Sequence, residues 1–122
     1  MIESKMIDRN LAYEITNGNE ELFKEMMELF IQISPDQLKE IKQAFRTEDN
    51  EALGAAAHDI KSSASSLGAM VLYESVFKLE QSAKLNLEMA QISPMIKDVE
   101  EKIRQTIAFY RDGHFSFDPE SL

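Results

Sequence analysis

Four glycines and three prolines in 122 residues leave few places where a helix is forced to stop. Between them, apolar side chains return every three or four positions. That spacing gathers them on one face of a helix, whereas a strand would scatter them over both of its faces. The chain is therefore expected to be all-α, and its length suits one domain with a single core.

The stop signals divide the chain. A short first helix is predicted over residues 8–16, ended by Asn17-Gly18-Asn19, where Asn17 and Gly18 accept a left-handed backbone. From Glu20 to about Arg46, the residues Leu22, Phe23, Met26, Phe30, Ile33, Leu38, Ile41 and Phe45 form an almost continuous core stripe. Ser34-Pro35-Asp36-Gln37 interrupts it with capping-box spacing and a proline, which fits either two helices or one kinked helix. The next segment is predicted to start with Asp49 as its cap and to stop before Gly68. Another runs from about Met70 to Leu85, with Leu72, Val76, Leu79 and Ala83 on one face, Tyr73 and Phe77 beside it, and Asn86 as its exit. For the last helix, Ser93 is read as the cap and Pro94 as the first position, followed by Ile96, Val99, Ile103, Ile107 and Tyr110; residues 87–92 have room for an earlier turn. Four long helices with short connections predict an up-and-down antiparallel four-helix bundle over residues 1–112, with a short additional N-terminal helix. The tail 113–122 holds Gly113 and Pro119 without any period and is expected to be loosely ordered, with Phe115 and Phe117 available to dock on the bundle.

Charge and composition exclude several functions. Thirteen Lys and Arg against 22 Asp and Glu give a net charge of −9, a field that repels polyanions, so no nucleic-acid partner is expected. Without cysteine there is neither a disulfide framework nor a thiolate metal site. The N-terminus is charged throughout, and no apolar run approaches the roughly 20 residues that cross a bilayer. A cytoplasmic location without a membrane partner is expected. The seven methionines read as core filler.

The stretch HDIKSSASSLGA, residues 58–69, is the informative one. At about 100° per residue, Leu53, Ala56, Ala57, Ile60, Ala64 and Leu67 face the core and His58 faces away. An ordinary exposed helix face carries Glu, Lys, Gln and Arg, yet Gly54, Ala55, Ser62 and Ser65 surround this imidazole. Gly54 alone costs about 1 kcal/mol relative to alanine inside a helix. Side chains this short clear a surface on which a bulky partner can reach the ring. Lys61, at i+3, places an ammonium where it can neutralise an anion held on the imidazole. Asp59 points about 100° away from His58 and makes no catalytic pair with it, and no histidine at i+4 completes a zinc site. His114, in the polar tail, has no comparable collar and is given no role.

His58, Lys61, Ser62, Ser63, Leu67, Gly68 and the pair Leu79-Glu80 together resemble the histidine-containing phosphotransfer (HPt) domain, over most of residues 8–110. The resemblance implies a four-helix bundle that shuttles phosphoryl groups between aspartates of response-regulator receiver domains. It makes His58 the phosphorylated residue and Lys61 its phosphoryl-stabilising cation, with Gly54, Ala55, Ser62 and Ser65 as the partner-docking surface. Family members usually carry glycine where this chain has Ser62, which adds a hydroxyl but stays small. Receiver domains and a hybrid sensor kinase are the implied partners. The receiver would bring Mg²⁺, and no cofactor or metal is expected on this chain. Neither GxxxxGK[ST] nor GxGxxG occurs, so autokinase activity is not expected and the chain reads as a carrier more than an enzyme. A non-catalytic adaptor bundle that binds a signalling partner through the same face is the competing function. A second copy covering that face would occlude His58, and a monomer is expected.

Overall fold

The computed structural model describes residues 6–112 and 115–117, and those residues form five helices and no strand. In chain order they are α1 (Arg9–Ile15), α2 (Glu20–Arg46), α3 (Asn50–Leu67), α4 (Met70–Lys84) and α5 (Met89–Arg111). The helix α3 packs against both α2 and α4, α4 packs against α5, and α5 returns to α2, so the four long helices enclose one core; α1 lies on α3. No helix among the described residues is long and apolar enough to cross a membrane.

The predicted inward face of α3 is buried in full: Leu53, Ala56, Ala57, Ile60, Ala64 and Leu67. Three of these six are alanines, which lets α2 and α4 approach α3 closely. Larger side chains fill the space from the facing helices, with Phe23, Met27, Phe30 and Ile41 from α2, Leu72, Val76 and Leu79 from α4, and Ile92 and Val99 from α5. Leu22 departs from the expected stripe and is exposed, with Met27 in the core instead.

Local chemistry ends these helices where the sequence indicated, with two exceptions. Asp8, Asn19 and Asp49 each accept a hydrogen bond from the amide three residues on, at 3.0 to 3.1 Å, satisfying donors that the first turn leaves free. Asn17, Gly18, Gly68 and Asn86 all adopt positive φ at helix exits. The first exception resolves the open question at Ser34-Pro35: α2 runs through Pro35 as one helix of 27 residues. An interior proline removes a hydrogen bond and costs about 3 kcal/mol, but Phe30, Ser34 and Ile41 are buried on both sides of it, and breaking the helix would expose one half of that face. The second exception corrects the start of α5. Ser93 and Pro94 do not open it; Glu88 is the cap, with the Gln91 side chain accepting from the Glu88 amide at 3.3 Å, and Pro94 lies in the second turn. Winding the extra residues buries Ile92 completely and sets Leu87 and Met89 against the core.

Beyond α5, Phe115 stacks on Phe23 with ring centroids 4.4 Å apart, and Phe117 packs against Phe23 and Tyr13. The Phe117 amide donates to Glu20 at 2.8 Å. Gly113, His114 and residues 118–122, on which the expectation of a loose tail also rested, lie outside the described residues.

Candidate functional site

His58 stands near the middle of α3 with its side chain 58% exposed, and its inner nitrogen meets a carboxylate from the neighbouring helix: Nδ1 lies 2.9 Å from Glu80 Oε2. Glu80 is on α4, its side chain only 2% exposed. It sits one turn beyond Val76 and beside Leu79, on the face that α4 turns inward. A buried carboxylate requires compensation. Lys61 supplies it at 2.6 Å from Oε1, with its side chain 19% exposed and its ammonium 5.6 Å above the Phe77 ring centroid. Lys84 adds a second cationic partner 3.7 Å from Oε2.

These contacts decide protonation. Burial works against the Glu80 charge, but hydrogen bonding from Lys61 and His58 and the charges of Lys61 and Lys84 outweigh it, so the carboxyl is held below the ordinary glutamate value. An ionised carboxylate only accepts hydrogen bonds, so Nδ1 must carry the proton and donate it. In the neutral ring the lone pair then belongs to Nε2, which has no partner among the described residues. The imidazole is thus fixed in one tautomer with its outer nitrogen nucleophilic and accessible.

Beside the ring is a recess of about 630 Å³ between α3 and the end of α4, lined by Gly54, Ala55, His58, Asp59, Glu80, Ala83 and Lys84 among others. Its end is bridged by Asn50, whose side-chain amide donates to Asn86 at 3.2 Å. Gly54 and Ala55 therefore do lie next to His58. Gly54 is half-buried and faces α4, where a Cβ on it would stand 3.7 Å from that of Ala83, an ordinary contact, so packing alone leaves room for alanine there. Ser62 and Ser65 are exposed on the C-terminal side of His58, outside this recess. Ser62 instead borders a shallower depression shared with Met26, Leu29 and Ile33 of α2.

Sequence reasoning missed two members of the cluster. Glu80 entered only as half of a family-like pair, although a carboxylate beside an otherwise apolar stripe was a legible sign of a buried charge needing partners. Lys84 was not singled out at all. Asp59 makes no hydrogen bond or ion pair with the ring; the carboxylate that orients His58 comes from 22 residues away. Among the described residues no group of acidic, histidine or cysteine side chains is arranged to hold a metal ion.

Comparison with known proteins bears on the fold and the family. The chain is similar to histidine-containing phosphotransfer protein B (HptB) from Pseudomonas aeruginosa PAO1, whose crystal structure superposes with a TM-score of 0.81 at 21% identity, covering 91% of this chain and 96% of that one. At that identity the likeness establishes the fold. No curated protein sequence matches significantly. The family model described as Hpt domain matches residues 25–108, a span that includes His58, Lys61, Glu80 and Lys84. A match over well more than half its length makes the chain a member of the Hpt domain family, the histidine phosphotransfer intermediates of phosphorelays.

Proposed function

We propose that His58 is the phosphorylated residue, in a four-helix bundle of up-and-down antiparallel topology to which α1 is an addition. The observation that carries this reading is the Nδ1 contact with buried, ionised Glu80, because it aims the nucleophilic lone pair at solvent. A receiver's phosphoaspartate is the donor. Its acyl P–O bond breaks as Nε2 forms the new N–P bond, and the carboxylate leaves with the electron pair. The ring keeps its Nδ1 proton and becomes a phosphorylated imidazolium, whose positive charge faces the Glu80 carboxylate. Return of the phosphoryl group to another aspartate reverses these steps without an added base.

Such transfers rely on positioning and charge stabilisation. Lys61 stabilises the phosphoryl state by offsetting the Glu80 charge that would otherwise lie under an incoming dianion. Gly54, Ala55, Ser62 and Ser65 present no long side chain to an approaching receiver, and a hybrid sensor kinase is the upstream source. Magnesium, in this reading, comes with the receiver. The protein acts as a cytoplasmic monomer and carries phosphoryl groups without autokinase activity.

The test is transfer from a receiver domain charged with labelled phosphate. Acid-labile label is expected on the wild-type chain and absent from His58→Gln, with helical circular dichroism unchanged. Label retained by His58→Gln would refute the assignment. A wild-type chain that takes no label from a panel of charged receivers would favour the adaptor reading.

A further inference from the structure

The buried carboxylate divides its two lysines between its two oxygens, and they are not equivalent. Lys61 contacts Oε1, is largely covered, and lies over Phe77. Lys84 contacts Oε2, the oxygen that also receives His58 Nδ1. It is 61% exposed, held only at 3.7 Å, and lines the recess beside the imidazole, whereas Lys61 does not. Lys61 is thus committed to keeping Glu80 ionised. Moving it toward a phosphoryl group would strip a buried carboxylate of its shortest cationic contact. Lys84 can move at little cost, because its ammonium is exposed to solvent, its contact is long, and Glu80 keeps its shorter contact with Lys61 when Lys84 leaves; it is the last residue of α4.

We infer that Lys84 is the residue that contacts the phosphoryl group on His58, and that Lys61 is a positioning residue acting through Glu80. This rests on His58 as the phosphorylated residue. When Nε2 gains a dianionic group, the Lys84 ammonium swings from Oε2 toward the phosphoryl oxygens, a stronger charge-assisted contact than the one it leaves. Glu80 then retains Lys61 and the imidazolium proton, so its charge stays compensated throughout. In the reverse direction the same ammonium holds the phosphoryl group for the accepting aspartate.

The experiment compares Lys84→Ala, Lys84→Arg and Lys61→Ala in transfer from receiver domains charged with acetyl phosphate, alongside ¹⁵N spectra of the His58 ring. Lys84→Ala is expected to slow transfer about tenfold, toward the low end of what a lost charge-stabilising contact costs because the site is open to solvent. Its Nδ1-protonated tautomer should be unchanged, and Lys84→Arg should restore most of the rate. Lys61→Ala is expected to perturb the tautomer signal itself. Wild-type transfer by Lys84→Ala would overturn the inference, as would a slow Lys84→Ala whose tautomer is also altered. His58→Gln, run in parallel, separates the two levels: label persisting there defeats the site assignment, whereas label lost there with normal Lys84→Ala rates defeats only the role of Lys84.

Discussion

The two ends of the bundle are built from different materials. Where α2 begins and α5 finishes, Phe23, Tyr110, Phe115 and Phe117 interlock as rings with centroids 4.4 to 6.3 Å apart. Toward the other end, where α3 begins and α4 finishes, the helices meet through Gly54 and Ala83 and enclose a charged glutamate instead. Aromatic packing contributes stability in proportion to the surface it hides. A buried ion cluster contributes little net stability, and its removal is punished mainly through the partners left behind. The contrast teaches that one end holds the fold together while the other spends part of that stability on an oriented imidazole.

The contrast can be broken in three places. Phe23→Ala should have the largest effect on stability, about 3–5 kcal/mol as for other buried aromatic truncations, read from urea unfolding. Label acceptance by His58 at low temperature should survive it, and loss of acceptance in folded protein would mean that the two ends are not separable. Glu80→Gln comes next, at about 1–3 kcal/mol near neutral pH, because Lys61 loses its partner in a covered site. Here the sign with pH matters. A carboxyl whose folded value is depressed stabilises fully above its unfolded value and loses that contribution as pH falls through the folded one. The wild type should therefore lose stability toward acid more steeply than Glu80→Gln, and equal acid slopes in thermal melts would show that the fold does not depress the Glu80 carboxyl. Smallest is Ser62→Arg, within about 0.5 kcal/mol of wild type because the position is exposed. It should nonetheless block transfer from a charged receiver by standing in the docking surface, and normal transfer would dismiss that surface.

Much of this was legible beforehand, for reasons visible in particular residues. The inward face of α3 and the outward direction of His58 follow from helical period alone, and the exits at Asn17-Gly18, Gly68 and Asn86 from backbone preference. The misreading at Pro94 and the question left open at Pro35 both arise where tertiary packing overrides a local signal. Pro35 and Pro94 both look like helix starts, yet each is carried inside a longer helix because Phe30, Ile41 and Ile92 are buried by winding through it. Glu80 was harder to read. Its meaning comes from an imidazole on another helix, and nothing within α4 names that partner. The division of its oxygens between two lysines is a property of three dimensions only.

Gly68 links these observations to the beginning of the chain. Its carbonyl accepts the Asp8 amide at 2.8 Å, and a Cβ on it would stand 3.1 Å from the Asp8 carbonyl oxygen, so α1 is clasped backbone to backbone onto the turn joining α3 and α4. A hairpin fastened at its bend cannot slide one arm along the other. His58 rides on one arm and Glu80 on the other, and a slip of a single residue, about 1.5 Å of helical rise, would be enough to part them. The first helix, remote from the chemistry, thereby braces the turn from which both arms run.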